Sequence, residues 1–162
     1  MCFYFSRRYD EAIAQYQETL ELDQNNVSVH ELLGVAYERQ GRHGEAIAEW
    51  QKTAVLIGDD ELAARLGSAG AEGDLARAVR ERAQRSLDQA SQKARAGEFV
   101  PAIEHARAWA SIGDREQAFC WLEKACLERN VFSLLFNSDP FYDSLRSDER
   151  FEHLRQLIGF VV

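Results

Sequence analysis

A fifteen-residue block occurs twice, thirty-four positions apart, and this repetition limits the fold more than any other feature of the chain. RYDEAIAQYQETLEL at 8–22 lies over RHGEAIAEWQKTAVL at 42–56. The two agree at Arg8/Arg42, Glu11/Glu45, Ala12/Ala46, Ile13/Ile47, Ala14/Ala48, Gln17/Gln51, Thr19/Thr53 and Leu22/Leu56, with an aromatic exchange at Tyr16/Trp50. A period of this length is one supersecondary unit, too small to bury its own apolar face, so neighbouring copies have to stack. The unit reads as helical. Only Pro101 and Pro140 interrupt the chain, and its long runs of Ala, Glu, Gln, Leu and Arg lack the turn-punctuated pattern of strands.

Between the copies, VSVHELLGVAYERQG at 27–41 carries Leu33, Gly34 and Tyr37 at spacings that put a small residue and an aromatic on one helical face. With Gly41, Ala46, Trp50 and Leu56 they resemble the tetratricopeptide repeat: a helix with Leu-Gly-x-x-Tyr, a turn at a Gly, then a helix with an Ala, an aromatic and a closing Leu. The resemblance implies an all-α fold, an α-α superhelix of antiparallel helix hairpins (a solenoid) with a C-terminal capping helix. Gly34 and Ala46 would let paired helices approach closely, Tyr37 and Trp50 would fill the gap to the next hairpin, and Gly41 would end the first helix.

In this register, 1–162 reads as a single repeat domain. It comprises a partial repeat at 1–24, a repeat at 27–57, an irregular lengthened repeat at 59–97, a repeat at 98–129 and a capping segment at 130–162. In the lengthened repeat, Asp60 caps a first helix that faces Leu62, Leu66 and Gly67 inward, AEGD turns, and a long helix shows the stripe Leu75, Val79, Ala83, Leu87, Ala90 and Ala94. In the later repeat, Asp114 and Gln117 form an N-terminal capping pair, and Ala106 and Trp109 keep the family pattern, from which His105 departs. The chain opens on what would be the last turn of a first helix, which reads as a fragment or truncated gene product and predicts an uncovered apolar patch of Phe3, Tyr4, Phe5, Ile13 and Tyr16. At the other end, Asp139, Pro140, Tyr142, Leu145, Arg146, Ser147, Asp148, Arg150 and Phe151 resemble the closing segment of bacterial multidomain regulators that carry these repeats. A last helix capped at Ser147 or Asp148 would lay Phe151, Leu154 and Ile158 on the final hairpin.

Catalytic chemistry finds no constellation. His30, His43, His105 and His153 are separated, with no HExxH and no His pair at i, i+4. No serine sits in GxSxG, and Gly67, Gly70 and Gly73 follow no strand and match no phosphate loop. Cys120 and Cys126 lie six apart, about 120° around a helix, so they share no face and read as buried structural thiols in a reducing cytoplasm. The expectation is therefore no enzyme, no metal and no cofactor. MCFYF is too short for a signal peptide, and no apolar run spans a bilayer.

Function is then expected in binding. The net charge of −8 argues against nucleic acid, and the Arg-rich helix at 74–96 reads first as a solvated face that compensates the acidic residues before it, with nucleic-acid binding through that helix as the least favoured alternative. The resemblance implies a protein or peptide ligand held on the concave face by the first helix of each hairpin. Here that face is Ser28, Glu31, Val35, Glu38 and Arg39, and further along Ile103, Arg107, Ala110 and Ser111. Glu31 and Val35 stand where relatives that clamp a terminal carboxylate need Lys and Asn, so a neutral or basic segment suits the groove better. A homodimer through the apolar N-terminal end, or an upstream domain, would cover that patch. The rival reading is an accessory segment of a larger signalling enzyme or transcription regulator whose active domain lies upstream.

Overall fold

The computed structural model describes residues 2–128 and 136–159. The parts of the expected capping segment at 130–135 and 160–162 lie outside them, as does the last residue of the repeat at 98–129. Every described regular element is helical: α1 (Cys2–Phe5), α2 (Tyr9–Leu22), α3 (Val27–Arg39), α4 (His43–Leu56), α5 (Asp60–Glu72), α6 (Leu75–Arg95), α7 (Ala102–Ser111), α8 (Arg115–Glu128), a 3-10 helix (Pro140–Leu145) and α9 (Glu149–Leu157). The chain divides into two compact units, residues 1–81 and 82–162.

In the first unit each helix packs on the next, from α1 through α5. Short turns between helices leave little choice, and the buried residues fall in register. Ala12, Ile13 and Tyr16 of α2 and their counterparts Ala46, Ile47 and Trp50 of α4 are all inside. The repeated polar identities have a local job as well. Arg8 pairs with Glu11 and lies 4.9 Å over the Phe3 ring, and Arg42 pairs with Glu45 and lies 4.3 Å over the Tyr37 ring, so one clasp is built twice at the helix entry. Thr19 and Thr53 each donate to the carbonyl four residues back, at Gln15 and Glu49.

Close approach of α3 to α4 rests on Gly34. A Cβ there would stand 2.5 Å from Trp50 Cδ1 and nearer still to Nε1, so the indole lies directly on the α3 backbone. Gly70 of α5 meets α4 in the same way, its missing Cβ 3.2 Å from Ile47 Cγ2. α4 is thus sandwiched between two glycine-bearing helices.

The irregular segment departs from its expected outline at three points. Asp59, not Asp60, caps α5, its carboxylate accepting from Leu62 N at 3.1 Å. The helix continues through Glu72, so the turn shrinks to Gly73, which is left-handed at φ 67°, and Asp74, which caps α6 through Arg77 N. The apolar stripe of α6 ends at Ala90: Val79, Ala83, Leu87 and Ala90 are buried, Leu75 is half-buried and Ala94 is exposed.

The N-terminal patch is also smaller than expected. Tyr4, Ile13 and Tyr16 are buried inside the first unit because α1 folds back on α2, which leaves Phe3 and Phe5 half-buried.

In the second unit, α7 pairs with α8, and the 3-10 helix and α9 close over them. Asp114 caps α8 through Gln117 N at 3.0 Å, as the pair predicts, and Asp148 caps α9. Phe151 and Leu154 join a core with Phe119, Leu122, Phe136 and Tyr142, against which Ile158 packs. Cys126 is buried, and desolvation pushes its thiol up to about 11, whereas Cys120 is exposed and so does not fit the expected buried thiol.

Gly34→Ala is expected to destabilise the fold by about 1–3 kcal/mol through overpacking against Trp50, read by urea unfolding. Gly44→Ala, in α4 with open space around the added methyl, is expected to stabilise by about 0.5–1 kcal/mol, and a loss at both positions alike would refute the steric account.

Candidate binding surfaces

Around the axis of α3, the residues expected to face a ligand form one stripe, because positions 28, 31, 35, 38 and 39 fall within about a third of a turn of the helix. Their accessibility differs. Ser28 and Arg39 are exposed, Glu31 and Glu38 are half-buried, and Val35, at the centre of the stripe, is buried at 3%. Val35 therefore offers almost no surface, and the accessible part of the stripe is polar. Burial raises the Glu38 carboxyl above its ordinary range, against the lowering influence of Arg39 and His43. Among the described residues, no hydrogen bond or ion pair holds the Glu38 carboxyl.

Behind this stripe lies a polar network that the sequence pattern did not reveal. His30 Nδ1 stands 2.6 Å from Glu49 Oε2, and its Nε2 stands 2.9 Å from the Gln24 carbonyl. A backbone carbonyl only accepts, so Nε2 is the donor to Gln24, and Nδ1 faces the Glu49 carboxylate. Lys52 Nζ donates to the other Glu49 oxygen at 2.7 Å. His30 and Glu49 are both buried, and this pair ties the α2–α3 loop and α3 to α4. Their offset of nineteen residues belongs to no motif, so only the fold could show it.

On α7 the expected residues are largely committed to the second unit itself. Ile103 and Ala110 are in its core. The Ser111 hydroxyl donates to the Ala108 carbonyl at 2.8 Å. Arg107 is half-buried, donates to Asp139 Oδ2 at 3.0 Å and lies 4.7 Å over the Phe141 ring. Ile103 and Ala110 are thus corrected from ligand contacts to packing, because both ends of α7, the first turn at Ile103 and the last at Ala110, turn into the core of the second unit.

Arg107 belongs to a clasp that explains the closing motif residue by residue. Asp139 caps the 3-10 helix through Phe141 N, and Pro140 needs no donor at its first position. Arg146 bonds Asp143 at 2.7 Å and lies over Phe151. Arg115 reaches Ser144 O and Asp148, while Arg150 bonds both Glu116 and Asp148 and covers the Phe119 ring at 4.2 Å. Hydrogen bonds from Arg150, then from Arg115, hold the Asp148 carboxyl far below the carboxylate range.

The arginines of α6 are dispersed. Arg77 bonds Glu72, Arg80 donates to its own helix at Ala76 O, and Arg82 is partly buried, where desolvation and then the Arg107 charge hold it below its usual range. Another aromatic contact escaped the sequence: His105, the residue that breaks the repeat pattern, stacks on Trp121 at 3.9 Å, and Lys124 lies over the same ring. Among the described residues no group of three His, Cys, Asp or Glu could hold a metal ion, and no helix is long and apolar enough to cross a membrane.

Helices packed one on the next, repeated clasps and glycine-mediated approach define a helical-hairpin repeat protein. Residues 4–41, which run through α2 and α3, match the family model of the TPR repeat. No curated protein and no solved structure matches it. Repeats of this family serve protein–protein interaction as non-catalytic scaffolds.

A carboxylate with a depressed pKa stabilises the fold above its unfolded pKa and loses that contribution as pH falls through the folded value. The melting-temperature difference between the native chain and Asp148→Asn is accordingly expected to be full at neutral pH and to shrink below about pH 4. A difference that stays constant in acid would show that Asp148 acts through capping shape rather than charge.

Proposed function

We propose that the chain is a protein-interaction scaffold that takes a basic peptide segment along the accessible stripe of α3, through Ser28, Glu31, Glu38 and Arg39. The observation that carries this reading is Glu38. Its carboxyl is half-buried and desolvated beside Val35, without a hydrogen-bond partner among the described residues, so its charged form is stabilised by a cation that arrives from outside. Glu31, two turns back on the same stripe, adds a second carboxylate for another Lys or Arg of the segment.

A bound cation favours the Glu38 carboxylate, so binding releases a proton. Affinity for a basic peptide is expected to increase as pH rises through the raised Glu38 value and to level off above it. The test is calorimetric titration of the chain with Lys/Arg-rich, neutral and acidic decapeptides. The basic peptides should bind, and Glu31→Ala with Glu38→Ala should weaken them about tenfold or more. Equal binding of all three peptide classes, or an unchanged affinity in the double variant, refutes the reading.

A further inference from the structure

Every residue from 91 to 99 is exposed, on all sides of the last turns of α6 and through the turn that follows. Ala90 is the last buried residue of the helix. Lys93 and Arg95 flank this helix end about 160° apart around the axis, and among the described residues neither takes part in an ion pair or side-chain hydrogen bond. Gly97, left-handed at φ 80°, then turns the chain so that Phe99 follows with 72% of its surface open. The helix dipole favours cations in a last turn, but it gives no reason for an uncovered Phe beside them.

The first unit carries a surface of opposite character. On α2 the buried stripe is Ala12, Ile13 and Tyr16, and diametrically opposite it run Ala14, Glu18, Glu21 and Leu22, all exposed. Glu18 and Glu21 pair with no described residue, in a chain whose net charge is −8. Leu22, with 91% of its surface open, is the most exposed large apolar side chain among the described residues. The repeat partner of Leu22, Leu56, is half-buried, so the exposure is particular to this copy.

We propose that the chain associates head to tail with a second copy of itself, the projecting end of α6 on one copy seating on the outer stripe of α2 on the other. Lys93 and Arg95 straddle the stripe to meet Glu18 and Glu21, and Phe99 covers Leu22. Two cations, two carboxylates and one apolar residue on each side are matched in number and kind, and the small Ala14 leaves room for the approach. The contact joins two different surfaces, so it is heterologous and propagates into rings or open chains rather than stopping at a two-fold dimer. A contact of two helix turns is small, so the association is weak, reversible and sensitive to salt.

Sedimentation velocity over a concentration series, at low and at high salt, tests this with the full chain. The average mass is expected to rise above that of the monomer with concentration at low salt and to return towards it at high salt. Lys93→Glu with Arg95→Glu, and separately Glu18→Lys with Glu21→Lys, should each leave a monomer with an unchanged helical circular dichroism spectrum. Mixing these two variants should restore association, because each then offers the other a complementary face. A native chain that stays monomeric throughout, an association lost through only one of the two variants, or a mixture that remains monomeric overturns the proposal.

Discussion

The bare backbone of Gly34 beneath the Trp50 indole is the contact on which the first unit depends. With no Cβ at that point α3 and α4 close until the indole is fully buried, and Ile47, one turn before Trp50 on α4, meets Gly70 of α5. Where two helices meet this closely, the side chains around the contact have one arrangement rather than several, which is how a stack of short helices acquires a defined register. The buried His30–Glu49 pair lies between the same two helices and is confined by the same closeness. Buried ion pairs contribute little net stability compared with apolar packing, but breaking one leaves an uncompensated charge, so this pair penalises any sliding of α3 along α4.

Much of the fold was legible because the repeat encodes it redundantly. The identities at Arg8/Arg42 and Glu11/Glu45 reproduce one clasp over an aromatic ring, those at Ala12/Ala46 and Ile13/Ile47 reproduce one buried face, and Asp114 with Gln117 marks a helix start from three residues' spacing. Local physics decides all of these. The Asp59 cap was missed by one residue because Asp59 and Asp60 are chemically equivalent on paper, and only the chain path selects between them.

The candidate surface was legible in outline and misread in depth. Helical spacing puts Val35 in the middle of a stripe with Glu31 and Glu38, but spacing carries no information on how much a neighbouring element covers, and Val35 proved to be enclosed. On α7, Arg107 looked like an outward cation until the closing motif delivered Asp139 and Phe141 to it from thirty residues away. Contacts of that range, like His30 to Glu49 or His105 to Trp121, have no periodicity to betray them.

The strong helix contacts within each unit join elements close in sequence: α1 to α2, and so on to α5 in the first, and α7 to α8, with the 3-10 helix and α9 following, in the second. Few long loops therefore have to be closed before favourable contacts form, and a low contact order of this kind gives fast folding. Each terminal helix is held by fewer neighbours than an interior one, so opening begins as fraying at a unit's ends and proceeds helix by helix rather than all at once.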